Sequence, residues 1–76
     1  MVIRYTRHAK KRMAQRKIDE MQVVEALEAP DEILTGDRGE MIALRRYSFR
    51  EIRVVYEEIE TDVLVVFTAM RTRIRG

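Results

Sequence analysis

The chain has 76 residues, 46% hydrophobic and 37% charged, with a net charge of +2, one His and no Cys; this describes one small globular domain, residues 1–76, held by packing and not by disulfides. Thiolate metal sites are excluded, and a lone His without His-x-x-x-His spacing leaves out the usual zinc and transition-metal ligand sets, so no metal and no cofactor is expected. The longest apolar run, Val63 to Met70 with Thr68 inside it, is far short of the ~20 residues that span a bilayer, and Met1 to Tyr5 lacks a signal-peptide core, so a cytoplasmic protein without a membrane partner is expected.

In chain order, Val2 to Tyr5 is a short β-prone run ahead of Thr6, a candidate cap for a helix from Arg7 to about Arg16. Ala9, Met13 and Ala14 would form a narrow apolar stripe on that helix, while His8, Arg12, Gln15 and Arg16 share a neighbouring face. A second helix has a stronger local signature. Asp19 and Gln22 are spaced as a capping box, Ile18 and Val23 as a hydrophobic staple, and Ala29-Pro30 is a stop. Its buried side is assigned to Met21, Val23, Val24, Ala26 and Leu27, and the two helices are expected to form a hairpin.

Beyond Pro30 the period changes to short apolar runs divided by turns: Glu32 to Thr35, a Gly36–Gly39 turn, Met41 to Tyr47, Ser48 to Glu51, Ile52 to Ile59, Glu60 to Asp62, and Val63 to Met70. Ile52, Val54 and Tyr56 alternate with Arg53, Val55 and Glu57, which predicts a strand with one buried face, whereas Val63 to Phe67 is apolar on both faces and belongs inside the sheet. The expected fold is α+β: a short N-terminal strand, a two-helix hairpin, and a three- to four-stranded antiparallel sheet with the helices on one face.

The modest net charge conceals a segregated one. Met1 to Lys17 carries seven cations and no acid, Ile18 to Glu40 carries eight acids against Arg38, and Met41 to Gly76 has seven Arg and five acids. Such asymmetry favours an anionic partner for one face and a basic partner for the other, or else a salt-bridged solvated surface. A domain this short buries only about 60% of the surface its unfolded chain exposes, so a homodimer or a bound partner would add stability.

The order Thr6-x-His8-Ala9-x-x-Arg12-Met13-x-x-Arg16-x-Ile18-Asp19, then Pro30-Asp31, then Val65-Val66-Phe67-Thr68, resembles a widespread bacterial family of unknown function that opens with a His-Ala-x-x-Arg-Met helix. The sequence departs from that pattern at Lys17, where Gly or Asn is common, and at Phe67. The family looks like an outlying branch of the barnase, EndoU, colicin and RelE group of metal-independent ribonucleases, which includes toxins of toxin-antitoxin pairs. The resemblance implies a RelE-like fold, RNA as substrate, an antitoxin protein as partner, and a site made from the first helix and the last strands. It points to His8, Arg12, Thr68 and Arg71 as catalytic candidates. Arg16, Arg46, Arg53, Tyr56 and Arg73 are the corresponding RNA-binding candidates.

The residue types suit that chemistry. A His titrates near neutrality and acts as base or acid, guanidinium forks match phosphate oxygens, and an aromatic ring stacks a base. Each also has a plain structural role: His8 bonded to backbone or lying on the surface, Arg12 and Arg16 as helix-face charges, Thr68 as a β-branched strand residue, and the Arg71–Arg75 tail as a loose basic end. Three functions stay open on these residues: a RelE-like endoribonuclease, a non-catalytic nucleic-acid or protein binding module of the same fold, and a structural protein that dimerises.

Overall fold

A computed structural model describes residues 1–74; Arg75, the last cation of the basic tail, lies outside the described residues. The order of elements is β1 (Val2–Tyr5), α1 (Arg7–Arg16), α2 (Glu20–Glu28), β2 (Glu32–Thr35), β3 (Met41–Tyr47), β4 (Arg50–Glu60) and β5 (Val63–Arg73). The strands form one sheet in the order β1-β5-β4-β3-β2. Every neighbouring pair is antiparallel except β1 with β5, which is parallel from Val2 opposite Val63 to Tyr5 opposite Val66.

The sheet is therefore larger than the three or four antiparallel strands expected from the sequence. The N-terminal strand is part of it, and fills the side of β5 that β4 leaves open, with Val2 N donating to Asp62 O at 2.7 Å. An apolar strand such as β5 needs neighbours on both edges, and a four-residue strand carries no pattern that names its partner. β4 and β5 also run longer than their apolar cores, to Arg50 and Arg73, because ladder pairing continues from Arg50 opposite Arg73 inward. Only Ser48 and Phe49 remain as the β3–β4 turn.

Helix starts follow local chemistry. The Thr6 hydroxyl accepts from Ala9 N at 3.0 Å, and Asp19 with Gln22 completes the capping box through bonds of 2.8 and 3.0 Å. Ile18 and Val23, the staple pair, are both buried in the core. Helix α1 ends on Lys17 at φ 54°, with Ile18 N reaching Met13 O at 2.9 Å in a Schellman-type closure. That left-handed position is the one where Gly or Asn costs least, which explains why Lys17 stands out in the motif.

The core lies between the helices and one face of the sheet: Ala9 and Met13 from α1, Val23 and Ala26 from α2, Ile18 between them, and Ala43, Ile52, Val54, Val66 and Ala69 below. Helix α1 packs chiefly on β5 and β1, and α2 on β4 and β3, so the expected hairpin is two helices lying side by side on different strands. Two apolar assignments fail. Ala14 is exposed and Met21 is 70% exposed, because ten and nine residues of helix laid flat on a sheet bury a stripe narrower than the apolar residues available.

Truncation at the core is expected to be costly and at the misassigned position nearly silent. In urea titrations Ile52→Ala should lose about 2–5 kcal/mol, while Met21→Ala should change stability by no more than about 0.5 kcal/mol. Lys17→Gly, which relieves the left-handed backbone, should raise stability by about 1 kcal/mol or less in the same assay.

Candidate functional site

Residues from both ends of the chain meet where α1 lies along β5. β1 stops opposite Val66, so the remainder of β5 has no strand on that side, and α1 supplies the missing partners. Thr6 N donates to Val66 O at 3.1 Å and the Thr6 hydroxyl lies 3.4 Å from Phe67 O. Further along, Arg16 Nη1 donates to Ala69 O at 2.8 Å and lies 3.4 Å from Thr68 Oγ1. Arg71 Nη2 then donates to Lys17 O at 3.0 Å. A bulge at Phe67, between Val55 opposite Thr68 and Tyr56 opposite Val66, turns β5 at the same place.

The exposed side of α1 continues this polar line. Arg12 Nε points to His8 Nε2 at 3.5 Å, and Arg12 Nη1 donates to Gln15 Oε1 at 3.1 Å. In this geometry Nε2 of His8 is the acceptor, so the ring presents a lone pair beside a guanidinium. His8 touches Arg12, and Arg16, one turn further, touches Thr68. Arg71 joins the same seam through Lys17 at its far end. Of the four catalytic candidates, His8 and Arg12 contact each other on α1, Thr68 is reached by Arg16, and Arg71 by the Lys17 carbonyl; among the described residues no hydrogen bond joins His8 or Arg12 to Thr68 or Arg71.

The remaining candidates lie elsewhere. Arg46 and Arg53 share the carboxylate of Glu51 at 3.0 and 2.9 Å, and Arg46 also binds Glu32 at 2.9 Å. Strand register puts Glu51, Arg46 and Arg53 on the face opposite the helices, beside Leu44, which is 2% exposed yet outside the core beneath the helices. Glu51 is 6% exposed, so its two arginines are held as counter-ions of a shielded charge. The Arg46 guanidinium is held above its usual range, first by the Glu32 hydrogen bond and then by that of Glu51. Tyr56 packs against the core beneath the helices and is half-buried. Arg73 is exposed at the end of β5, opposite Arg50.

Charge is segregated in space as well as in sequence. Helix α1 has five cations and no acid, with no carboxylate in its first turn to offset the positive end of the helix. Helix α2 carries three Glu and no cation, and its side of the molecule is tied down by Arg45 Nη1 to Ala29 O at 2.6 Å and by Tyr47 Oη to Glu25 Oε2 at 3.2 Å. Arg45 also lies 5.6 Å from the centre of the Tyr47 ring.

The seam and fold define a small α+β domain with two helices covering one face of a mostly antiparallel five-stranded sheet. Residues 5–71 match DUF4258, a domain of unknown function. The chain belongs to that family. No curated protein and no solved structure matches it significantly.

Tyr5, Tyr47 and Tyr56 all have hydroxyl pKa values raised above the usual value near 10, in each case mainly by burial, with Glu20, Glu25 and Glu58 adding to it respectively. Above pH 10 the unfolded chain therefore loses these protons before the folded one does, and stability must fall as pH rises through that range. Denaturant titrations should show a constant tyrosine contribution below about pH 10 and a decline above it. Tyr47→Phe should make that decline shallower.

Proposed function

We propose that the domain is a small metal-independent endoribonuclease of RelE-like type, with RNA laid along the seam between α1 and β5. The observation that carries this reading is the placement of His8, Arg12 and Arg16 in one line on an acid-free helix, with Arg16 tying that line to Thr68 of the last strand. An exposed histidine beside guanidinium groups is suited to RNA cleavage without a metal.

In this reaction His8 takes the proton of the 2′-hydroxyl, the 2′-oxygen bonds to the adjacent phosphorus, and the bond from phosphorus to the 5′-oxygen breaks. The 5′-oxygen gains a proton from solvent, leaving a 2′,3′-cyclic phosphate and a 5′-hydroxyl. Arg12 and Arg16 hold the charge that builds on the non-bridging oxygens, and guanidinium groups do this best where two N–H bonds reach one phosphate. Thr68 fixes the Arg16 side chain. In a toxin-antitoxin setting the same basic face is the surface that an acidic antitoxin segment would cover.

One observation favours a second reading, in which the domain grips RNA without cutting it. Among the described residues His8 has no carboxylate or carbonyl partner to orient it; its one neighbour by hydrogen bond is Arg12. A phosphate grip needs only the arginines and lysines, and its affinity falls steeply with salt.

Incubation of labelled single-stranded RNA with the protein in EDTA separates the two. The nuclease reading expects cleavage to cyclic-phosphate ends, reduced about 10²- to 10⁴-fold by His8→Gln with binding preserved. Arg16→Ala should weaken both cleavage and binding. Salt-sensitive binding with no cleavage, unchanged by His8→Gln, would establish the binding module instead.

A further inference from the structure

Where α1 ends, the sheet continues past the helices, and its overhanging end encloses a cleft of about 240 Å³. Its floor is Ile52 and its walls are Gln22 of α2, Tyr47, and the guanidinium-bearing residues Arg50 and Arg71, with Ser48 and Phe49 at the turn between β3 and β4. Among the described residues no carboxylate lines it. Phe49 is 77% exposed, the most exposed of the large apolar side chains described. The turn that carries it is tight: Ser48 sits at φ 48°, and Ile74 N donates to Phe49 O at 2.7 Å, pinning the turn from the end of β5.

What sets Phe49 apart from the other exposed apolar side chains is its place on the rim of a cleft that Arg50 and Arg71 also line. The cleft is smaller than the roughly 300–1,000 Å³ of sites for drug-sized molecules and suits a single ring. The charges around it specify the rest: two arginines line it, and Arg73 stands opposite Arg50 in the ladder. A planar ring attached to an anion on either side is a nucleotide within a strand. Arg71 connects this cleft to the seam, because its guanidinium also holds Lys17 O at the end of α1. At 1.5 Å per helical residue, His8 and Lys17 are about 14 Å apart along the axis.

We infer that the cleft at the β3–β4 turn is a base-stacking subsite of the same RNA-binding surface: Phe49 stacks one unpaired base while Arg50 and Arg71 hold the phosphates beside it. This inference rests on the RNA reading of the seam and adds to it a register device, a flanking base held at a fixed distance from His8. Stacking of this kind tolerates any base, so it selects single strands over duplexes and not one sequence over another.

The chain has no Trp, so Phe49→Trp places a unique indole fluorophore at the subsite. The probes are a 2′-O-methyl hexauridylate, which cannot be cleaved, and an abasic hexamer of the same charge. The subsite predicts saturable quenching of the indole emission of Phe49→Trp by the hexauridylate and none by the abasic strand. It further predicts that Phe49→Ala, at an exposed turn where folding is not at stake, weakens hexauridylate binding roughly tenfold and leaves abasic binding unchanged.

Equal affinity of the wild-type protein for the two strands, or a Phe49→Ala variant that binds both as the wild type does, overturns the subsite while leaving phosphate binding along α1 intact. Failure of the wild-type protein to bind either strand at low salt removes the RNA reading and the subsite together. Indole emission from Phe49→Trp that responds to protein concentration but not to RNA would make Phe49 a self-association contact and equally overturn the inference.

Discussion

The close approach of α1 to β5 is the contact on which the arrangement depends. Ala9 on the helix and Ala69 on the strand are both fully buried, and Ala26 and Ala43 occupy the equivalent places beneath α2. Small side chains let backbone lie near backbone, so dispersion contacts replace what larger residues would gain from area. The approach has a chemical consequence: Arg16 reaches a main-chain carbonyl of β5 and the Thr68 hydroxyl. A bulkier residue at position 9 or 69 would lift the helix and separate the two halves of the seam.

The same approach solves a problem of sheet edges. β5 is apolar, longer than β1, and would otherwise expose unpaired main-chain groups beyond Val66, an invitation to edge-to-edge pairing. The side chains of Thr6 and then Arg16 reach carbonyls of that edge, and Arg71 of β5 turns back to the Lys17 carbonyl. Conservative replacement of Arg16 by Lys would lose the planar fork that spans carbonyl and hydroxyl together.

The two faces of the sheet are held by different physics. Beneath the helices the contact is apolar. On the open face a shielded carboxylate, Glu51, sits between two half-exposed arginines, Arg46 opposite it on β3 and Arg53 two residues along β4. Like charges that close repel unless a counter-charge lies between them, so Arg46 and Arg53 are committed to this pair and are not free cations for a ligand. Among the described residues the cations of α1, Arg50, Arg71 and Arg73 have no carboxylate partner, which is why the RNA reading concentrates there.

Local signals in the sequence determined the local structure. The Asp19–Gln22 box, the Ile18–Val23 staple, the Ala29-Pro30 stop and the alternation of Ile52, Val54 and Tyr56 are interactions over a few residues, and each took its expected form. The family motif named His8 and Arg12 on α1 and Thr68 and Arg71 on β5, and the structure shows that helix lying along that strand. What depended on distant pairing was not legible. Strand β1 joining β5 in parallel, Met21 and Ala14 facing water, Arg16 as the partner of Thr68, and the pairing of Arg46 and Arg53 with Glu51 all depend on how the elements pack together. Phe49 carried no signal in the sequence beyond being an aromatic residue next to a turn. Its exposure beside Arg50 and Arg71 is a property of where β3, β4 and β5 end together. Short-range energies are written residue by residue, whereas which side chains share a surface is decided by the whole packed chain.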